Sequence, residues 1–373
     1  MVTGHKVDAL FRPFTLNGLC LPNRIVMAPM TRWRSPDGVP GDDVAAYYRR
    51  RAENDCGLII TEGTTVDHPV ASYSMRVPAF HGAALAGWRH VVEQVHAAGG
   101  RIMPQLWHVG VARRPSQDYP NRELPSVSPS GLFHPGKKAV APPATREEIK
   151  SVIDAFVKAA CHARELGFDG IELHGAHGYL FDQFFWEPIN QREDEYGGSL
   201  EGRTRFAVET IEAIRRAVGN DYPFILRISQ WKEQDYTAKL ARTPEEFAAF
   251  LTILTRAGID AFHCSQRRYW EPEFAGSDLN LAGWAKKLTR KPSIAVGSVG
   301  LSGELNTHGV DGLGQRAAVT GIEELLERMA RDEFDLIAVG RALLADPEWA
   351  RKVREQRFDE LTAYTSQALE QLH

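Results

Sequence analysis

Two histidines and a tyrosine lie close together near the middle of the chain. His174 and His177 are three residues apart, and Tyr179 follows two residues later. Gly175 and Gly178 let the backbone bend, so the two imidazoles and the phenol are able to face one point. Two neutral hydrogen-bond donors and a proton source in one place suit the activation of a carbonyl group. The segment is therefore a candidate catalytic site.

The histidine pair has two other interpretations, half of a metal site or a satisfied pair in the core. Zinc needs a third and usually a fourth protein ligand. No Cys-x-x-Cys or His-Glu-x-x-His motif accompanies the pair, so we expect no metal. On these residues alone, the core pair and the substrate clamp both stay open.

The elements that must position these residues alternate along the chain. Apolar runs of strand length are separated by helical patterns, which is typical of a parallel βα architecture. The predicted strands are Arg24–Met27, Leu58–Thr61, Ile102–Gln105, Gly170–Leu173, Phe224–Ile228, Ala261–His263, Ser293–Val296 and Leu336–Val339. Eight units predict one α/β domain over residues 1–373, a single (β/α)8 TIM barrel. A doubly wound open sheet is the alternative, but its usual Gly-x-Gly-x-x-Gly turn is absent.

Helix-start signals support the same architecture. Thr145 and Glu148 form a capping box, and Thr243–Glu246 combines a cap, a proline and a box glutamate. Asp346-Pro347 predicts the start of the last barrel helix. One apolar stripe with helical spacing follows the first of these boxes and consists of Ile149, Val152, Ile153, Phe156, Val157 and Ala160.

The long connection at 109–144, after the third strand, is rich in Pro, Ser and Gly, including Pro115. So long a connection within a barrel is usually functional. We expect it to form an extended cap, or lid, over the active site, because TIM barrels carry their sites at the C-terminal ends of the strands.

Charged and small residues at other strand ends predict an anionic ligand. Arg227 lies within an apolar strand, and an unpaired buried guanidinium is costly, so it needs either a structural carboxylate or an electron-rich ligand. Gly297-Ser298 and Gly340-Arg341 end the seventh and eighth strands, where TIM barrels commonly bind phosphate. These residues predict a phosphate group without defining the molecule that carries it.

The composition excludes several classes of protein. Hydrophobic residues make up 43% of the 373 residues, charged residues 25%, and the net charge is −4, which disfavours a nucleic-acid partner. The four cysteines are scattered, which disfavours an iron–sulfur cluster. No apolar leader or membrane span is evident, so we expect a cytoplasmic protein without a membrane partner, as a monomer or homodimer.

The chain resembles the old yellow enzyme family, the FMN-dependent ene-reductases. The resemblance rests on His-x-x-His-x-Tyr-Leu at 174–180, Arg-x-Asp-x-Tyr-Gly-Gly-Ser at 192–199, Arg-x-x-Arg-Phe at 203–206 and Gln-Leu-Trp-His at 105–108. It covers essentially the whole barrel. The family divides between threonine and cysteine after the first strand, and Thr31 is similar to the threonine-type subgroup.

The resemblance implies noncovalent FMN, reduction by NAD(P)H and ping-pong reduction of an electron-poor alkene. It implies that His174 and His177 hold the carbonyl or nitro oxygen of the substrate and that Tyr179 protonates the alkene. The implied flavin contacts are Ala28, Pro29, Met30, Thr31, Gly63, Gln105, Arg227, Gly297, Ser298, Gly340 and Arg341. The implied substrate contacts are Tyr73, Trp107 and Tyr269 with the two histidines.

Three segments differ from the family pattern. Residues 230–236 and 266–270 depart from it in sequence, and 301–321 is longer than usual, so the shape of the substrate pocket is open. Simpler interpretations also exist for three predicted contacts: Pro29 as a strand stop, Tyr73 as a surface residue and Trp107 as an apolar cap.

Other functions compete with the ene-reductase hypothesis. A 2,4-dienoyl-CoA-reductase-like or amine-dehydrogenase-like enzyme would carry an iron–sulfur cluster and a further domain. A non-flavin barrel lyase or aldolase would explain the phosphate signal but needs a Schiff-base lysine or metal carboxylates at strand ends. A flavin-binding protein without turnover is the third alternative.

Overall fold

A closed barrel of eight parallel strands forms the centre of the computed structural model, which describes residues 7–113, 119–302 and 316–373. Each strand pairs with the next along the chain, and the last pairs with the first through Ile337 and Ile25. The strands are β1 Ile25–Met27, β2 Leu58–Thr65, β3 Ile102–Trp107, β4 Ile171–His177, β5 Phe224–Lys232, β6 Ala261–Ser265, β7 Ser293–Val296 and β8 Leu336–Val339. The predicted TIM barrel is confirmed.

Helices follow the strands on the outside of the barrel. The barrel helices are α1 Asp42–Glu53, α2 Ala84–Ala97, α3 Arg146–Leu166, α4 Leu200–Val218, α5 Pro244–Ala257, α6 Leu281–Thr289, α7 Glu323–Ala330 and α8 Trp349–Arg354. Shorter helices are Asp8–Phe11, Leu180–Phe185 and Arg341–Ala345. None of the described helices combines the length and the apolar character that crossing a bilayer requires.

The strands β2 to β6 extend past the predicted C-terminal ends. The apolar runs stop where the side chains become polar, but the backbone pairing continues; Thr65 still pairs with Trp107, for example. Likewise, β4 and β5 pair as far as His177 and Lys232 after an irregularity in the register. Because these extensions carry polar side chains, they form the part of the barrel that is available for chemistry.

Two of the three predicted helix starts are confirmed. Thr145 and Glu148 form both bonds of the capping box, and the Thr243 hydroxyl accepts a hydrogen bond from Glu246 N. The prediction for Asp346 was wrong by two residues, because α8 begins at Trp349. The Asp346 carboxylate instead accepts hydrogen bonds from the backbone of Glu348 and from Lys352, which gives a turn before the helix.

Apolar side chains fill the barrel interior and the layer between strands and helices. The interior cluster includes Val26, Ile60, Met103 and Ile225. Leu16, in a short antiparallel hairpin of strands Phe14–Leu16 and Leu19–Leu21 before the barrel, packs with it. The apolar stripe of α3 faces the outer layer. The N-terminal half of the barrel is thus a packed core, which leaves the C-terminal end for a site.

The connection at 109–144 is anchored by arginine side chains. Arg192 donates to the carbonyl oxygens of Pro129 and Ala144, and Arg113 donates to that of Leu124. Residues 114–118, with Pro115, lie outside the described residues, as do 303–315 of the long segment 301–321. Arg192 therefore anchors the described part of 109–144 from outside it, and Arg113 links two parts of the connection to each other.

Candidate active site

A cavity of about 300 Å³ lies at the C-terminal ends of the strands. Residues from the ends of all eight strands line it, and seven of these ends supply residues that the sequence predicted. The predicted residues that line it are Ala28, Pro29, Met30, Thr31, Gly63, Tyr73, Gln105, Trp107, His174, His177, Tyr179, Arg227, Gly297, Ser298, Gly340 and Arg341. Residues as far apart in sequence as Ala28 and Arg341 thus converge on one space.

Tyr269 is the exception among the predicted site residues. It does not line the cavity, since its side chain is buried in the main hydrophobic cluster and contacts Trp270 edge to face. Its backbone N donates to Gly297 O, and its carbonyl oxygen accepts from Asn280. The predicted substrate contact is therefore replaced by a structural role, in which Tyr269 supports the Gly297 turn.

The two histidines lie side by side in the cavity, with ring centroids 5.1 Å apart. His177 N donates to Ser229 Oγ, and its Nε2 lies 2.8 Å from Ser265 Oγ, which fixes the ring. Trp231 stacks on His177 with centroids 4.4 Å apart. Burial, and after it the charge of Arg227, holds the pKa of both histidines well below the ordinary value. Both imidazoles are therefore neutral, as a clamp for a developing negative charge requires.

Tyr179 lies beside the histidines and contacts Trp107 and His174 edge to face, at 4.7 and 5.0 Å between ring centroids. Its hydroxyl donates to Glu233 Oε1 at 3.0 Å. The phenol is buried, with only 7% of its surface exposed. Its position next to the histidine pair agrees with the predicted proton donor.

A buried ion pair holds the turn that carries Tyr179. Lys232 Nζ lies 2.6 Å from Asp182 Oδ1, and both side chains are fully buried. Asp182 Oδ2 also accepts a hydrogen bond from Gly178 N. Burial raises the pKa of Asp182 and lowers that of Lys232, while the attraction between them opposes both shifts. The pair therefore ties the end of β5 to the turn after β4.

The backbone of the same turn adopts left-handed conformations that few residue types adopt readily. His177 has a φ of 64° and Gly178 a φ of 81°, both in the left-handed region. A Cβ at Gly178 would lie 2.0 Å from Gln234 Oε1. The positive φ therefore favours glycine here, and a larger residue would also displace the end of the Gln234 side chain.

Arg227 lines the cavity, and its Nε has no hydrogen-bond partner among the described residues. Glu172 is close enough to oppose the lowering of the Arg227 pKa by burial. The Glu172 oxygens, however, accept hydrogen bonds from Gln105 Nε2 and from His263 Nδ1, each at 2.7 Å. Both kinds of partner predicted for Arg227 are compatible with the structure. Glu172 is the structural carboxylate, and the cavity that Arg227 lines has space for a ligand.

The loop after β1 is held by a buried carboxylate. Glu62 accepts a hydrogen bond from Arg32 N at 2.8 Å, next to Thr31. Burial raises the pKa of Glu62 to about 7. A Cβ at Gly63 would lie 2.4 Å from the Trp107 ring. Gly63 is small because Trp107 packs on it, which places the indole at the wall of the cavity.

The ends of β7 and β8 form a cationic turn. Gly297 and Ser298 both have positive φ, 146° and 52°, and a Cβ at Gly297 would lie 2.6 Å from Gln266 O. Arg341 Nη2 lies 3.3 Å from Ser298 Oγ. A guanidinium, a hydroxyl and a turn with positive φ in the wall of the cavity suit a phosphate group.

Several residues that line the cavity were not identified from the sequence. They are Trp33, Ala112, Phe133, Trp231, Glu233, Ser265, Gln266, Arg267, Val296, Val299, Leu301 and Ala338. Ser265 and Gln266 follow the apolar run of β6, so the strand-end rule applied to that strand would have found them. Trp231 and Glu233 lie in the divergent segment 230–236, where the sequence had no pattern to assign them.

The cavity fits a flat, electron-accepting ring that carries a phosphate. Arg227 offers a buried positive charge without a partner for Nε, Gln105 offers an amide, and Arg341 with Ser298 offers a phosphate site at the other end. These are the donors that FMN requires. The fold and the site therefore define a flavin-binding TIM barrel of the oxidoreductase class.

Comparison with known proteins defines the family. The sequence model of the NADH:flavin oxidoreductase / NADH oxidase family matches residues 9–306. The chain is 34% identical over 360 residues to an NADH oxidase of Thermoanaerobacter brockii, covering 94% of this chain but 52% of that protein, about half of its length. It is 33% identical over 380 residues to the flavin oxidoreductase hxnT of Emericella nidulans, covering 96% of this chain and 94% of that protein.

A solved structure supports the same assignment. Old yellow enzyme from a Pichia species aligns with a TM-score of 0.78 at 26% identity, covering 97% of this chain and 90% of that chain. The chain belongs to the NADH:flavin oxidoreductase family, and it is an FMN-dependent NAD(P)H oxidoreductase of the old yellow enzyme type.

The buried ion pair gives a prediction about stability. Replacing Asp182 with Asn leaves the Lys232 ammonium buried without a counter-charge, which is expected to lower the free energy of unfolding by about 3–5 kcal/mol. Denaturant unfolding measures this change. Glu195→Gln is the matched control, because it breaks the exposed pair with Arg146 and is expected to have little effect. Equal effects of the two substitutions would contradict the importance of the buried pair.

Proposed function

We propose that the protein reduces the activated C=C bond of α,β-unsaturated carbonyl or nitro compounds with NAD(P)H. The observation that carries this proposal is the pair of neutral imidazoles beside a buried phenol in a cavity that fits FMN. Neutral histidines are hydrogen-bond donors for a carbonyl or nitro oxygen, and the phenol is a proton donor for carbon.

FMN, when bound, supplies hydride transfer from NAD(P)H to the β carbon of the alkene. Arg227 and Gln105 hold its ring, with Ala28, Pro29, Met30, Thr31 and Gly63 along the backbone that lines the cavity. Gly297, Ser298, Gly340 and Arg341 hold the phosphate. These assignments follow from the position of each residue in the cavity wall.

His174 and His177 stabilise the negative charge that develops on the substrate oxygen. Because Ser265 fixes the ring of His177 and Trp231 stacks on it, the donor is oriented before the substrate arrives. Tyr179 then transfers its proton to the α carbon. Trp107 and Tyr73, whose rings meet edge to face at 5.3 Å, form the wall of the substrate pocket.

The shape of the site supports the proposal of ping-pong kinetics. NAD(P)H and the alkene must both reach the same ring, and a single cavity of about 300 Å³ opens onto the predicted flavin residues. We therefore expect the oxidised nicotinamide to leave before the alkene binds.

Anaerobic reduction tests the proposed function. The protein loaded with FMN should be bleached by NADH or NADPH and then reoxidised by cyclic enones, maleimides or nitroalkenes. Stopped-flow absorbance separates the two half-reactions. Bleaching without reoxidation by any activated alkene would contradict the ene-reductase proposal and leave an NAD(P)H oxidoreductase with another acceptor.

The role of Arg227 is tested by its replacement with Met. Loss of the buried positive charge should weaken FMN retention and lower the reduction midpoint potential, because a cation beside the ring stabilises its reduced form. Arg216→Met, which removes an exposed arginine of α4, is the control. Unchanged FMN affinity and potential would show that Arg227 serves Glu172 alone.

The role of Tyr179 is tested by its replacement with Phe. Reduction of the enzyme by NAD(P)H should stay near normal, whereas reduction of enones should slow by about 10²- to 10⁴-fold, since the proton donor is lost. Nitroalkenes should be affected less, because their hydride adduct is a stable anion that takes its proton from water. Tyr196→Phe, which removes a hydroxyl bonded to Glu209, should have no such selectivity.

His174→Ala should fail in a different way from Tyr179→Phe. It removes a donor to the substrate oxygen, so binding of a phenolate ligand and its charge-transfer band should weaken. If Tyr179→Phe reduced enones at the wild-type rate, Tyr179 would be a wall of the pocket rather than the acid.

A further inference from the structure

Glu233 is a carboxylate at the active site to which neither the family motif nor the proposed reaction gives a role. It follows Lys232, the last residue of β5, and it lines the cavity. Its Oε1 accepts the hydrogen bond of the Tyr179 hydroxyl at 3.0 Å. Its backbone N donates to His177 O, so the carboxylate is held against the turn that carries Tyr179.

The two partners differ in their access to solvent. Tyr179 is buried against the rings of Trp107 and His174, whereas Glu233 is an exposed residue at the mouth of the cavity. The hydrogen bond between them therefore joins a buried phenol to a carboxylate that water reaches. This is the arrangement of a proton path from solvent to an internal acid.

Tyr179 needs such a path in every turnover. Once the phenol has given its proton to carbon, the phenolate must be protonated again before it acts a second time. The two other charged residues of segment 230–236 have partners elsewhere: Lys232 is buried and bonded to Asp182 and to Ser229 O, and Asp235 accepts hydrogen bonds from Thr237. The two histidines are neutral and serve the substrate oxygen.

We propose that Glu233 returns the proton to Tyr179 after each reduction, an inference that rests on the proposed function. The Tyr179 O–H bond breaks as the C–H bond at the α carbon forms. A proton from water or a buffer acid then binds the Glu233 carboxylate, and Glu233 passes it to the phenolate, which restores the Tyr179 O–H bond. One proton is taken from solvent in each cycle, and no electrons move in this step.

The charged surroundings of Glu233 agree with this role. Its negative charge also acts on the neighbouring phenol of Tyr73, whose pKa is raised mainly by burial and secondly by Glu233. Because the charge of Glu233 acts on Tyr73 across the opening of the cavity, the Glu233 carboxylate faces the space through which solvent enters. Glu233 is thus a positioning and proton-supplying residue that acts through Tyr179, without being required to touch the substrate.

The test compares the first and second turnovers of Glu233→Gln. The amide can still hydrogen-bond to Tyr179, but unlike a carboxylate it cannot bind a proton from solvent and pass it on. In double-mixing stopped flow with one equivalent of cyclohexenone per turnover and little buffer, the first oxidation should occur at the wild-type rate. The second should slow by about 10-fold or more, and added formate or imidazole buffer should restore it. Glu187→Gln, which alters an exposed carboxylate outside the cavity, should change neither.

Each outcome decides the matter. A second turnover at the wild-type rate in Glu233→Gln would contradict the relay. Equal slowing of both turnovers without rescue by buffer would also contradict it and would show that Glu233 has a structural role. If Glu233→Gln did not retain FMN, Glu233→Asp serves instead, with a smaller delay in the second turnover and the same rescue expected. Failure of wild-type enzyme to reduce cyclohexenone, or of Tyr179→Phe to slow it, would instead refute the proposed function.

Discussion

The ion pair between Lys232 and Asp182 is the interaction on which the site depends. Transfer of either ion from water to the protein interior costs several kcal/mol, so each must meet the other once the chain has folded. The pair lies 2.6 Å apart without solvent contact. It therefore joins the end of β5 to the turn after β4, and the hydrogen bond between Tyr179 and Glu233 spans the same two segments.

A second set of buried polar groups sets the electrostatics of the cavity floor. Glu172 accepts hydrogen bonds from Gln105 and His263 and lies near the positive charge of Arg227, whose Nε has no hydrogen-bond partner among the described residues. That positive charge lowers the pKa of the neighbouring histidines beyond the effect of burial. One arginine thus has two effects: it places a positive charge in the wall of the cavity, and it keeps the two histidines neutral. Both effects need the low dielectric of a buried site.

The most specific motif in the sequence has a structural rather than a chemical role. Arg192 of the segment 192–199 pairs with Asp194 and holds the base of the connection 109–144 through two carbonyl oxygens. No residue of 192–199 lines the cavity. A motif can therefore identify a family through the way a loop is anchored, while residues in a divergent segment, such as Trp231 and Glu233, shape the site.

The sequence by itself determined the eight strands, the barrel and most of the site, because apolar periodicity and strand-end positions depend on local order along the chain. Gly297, Arg341 and Arg227 were predicted in this way, whereas Gln105 was predicted from the resemblance to the family. Only the tertiary structure decided which polar groups pair across strands: Tyr179 with Glu233, Lys232 with Asp182 and Glu172 with His263. It also showed that the Tyr269 side chain is buried in the core and that the Trp107 ring packs against Gly63. The physical reason is that a buried side chain takes its partner from whatever packs against it, and separation along the chain does not encode that neighbour.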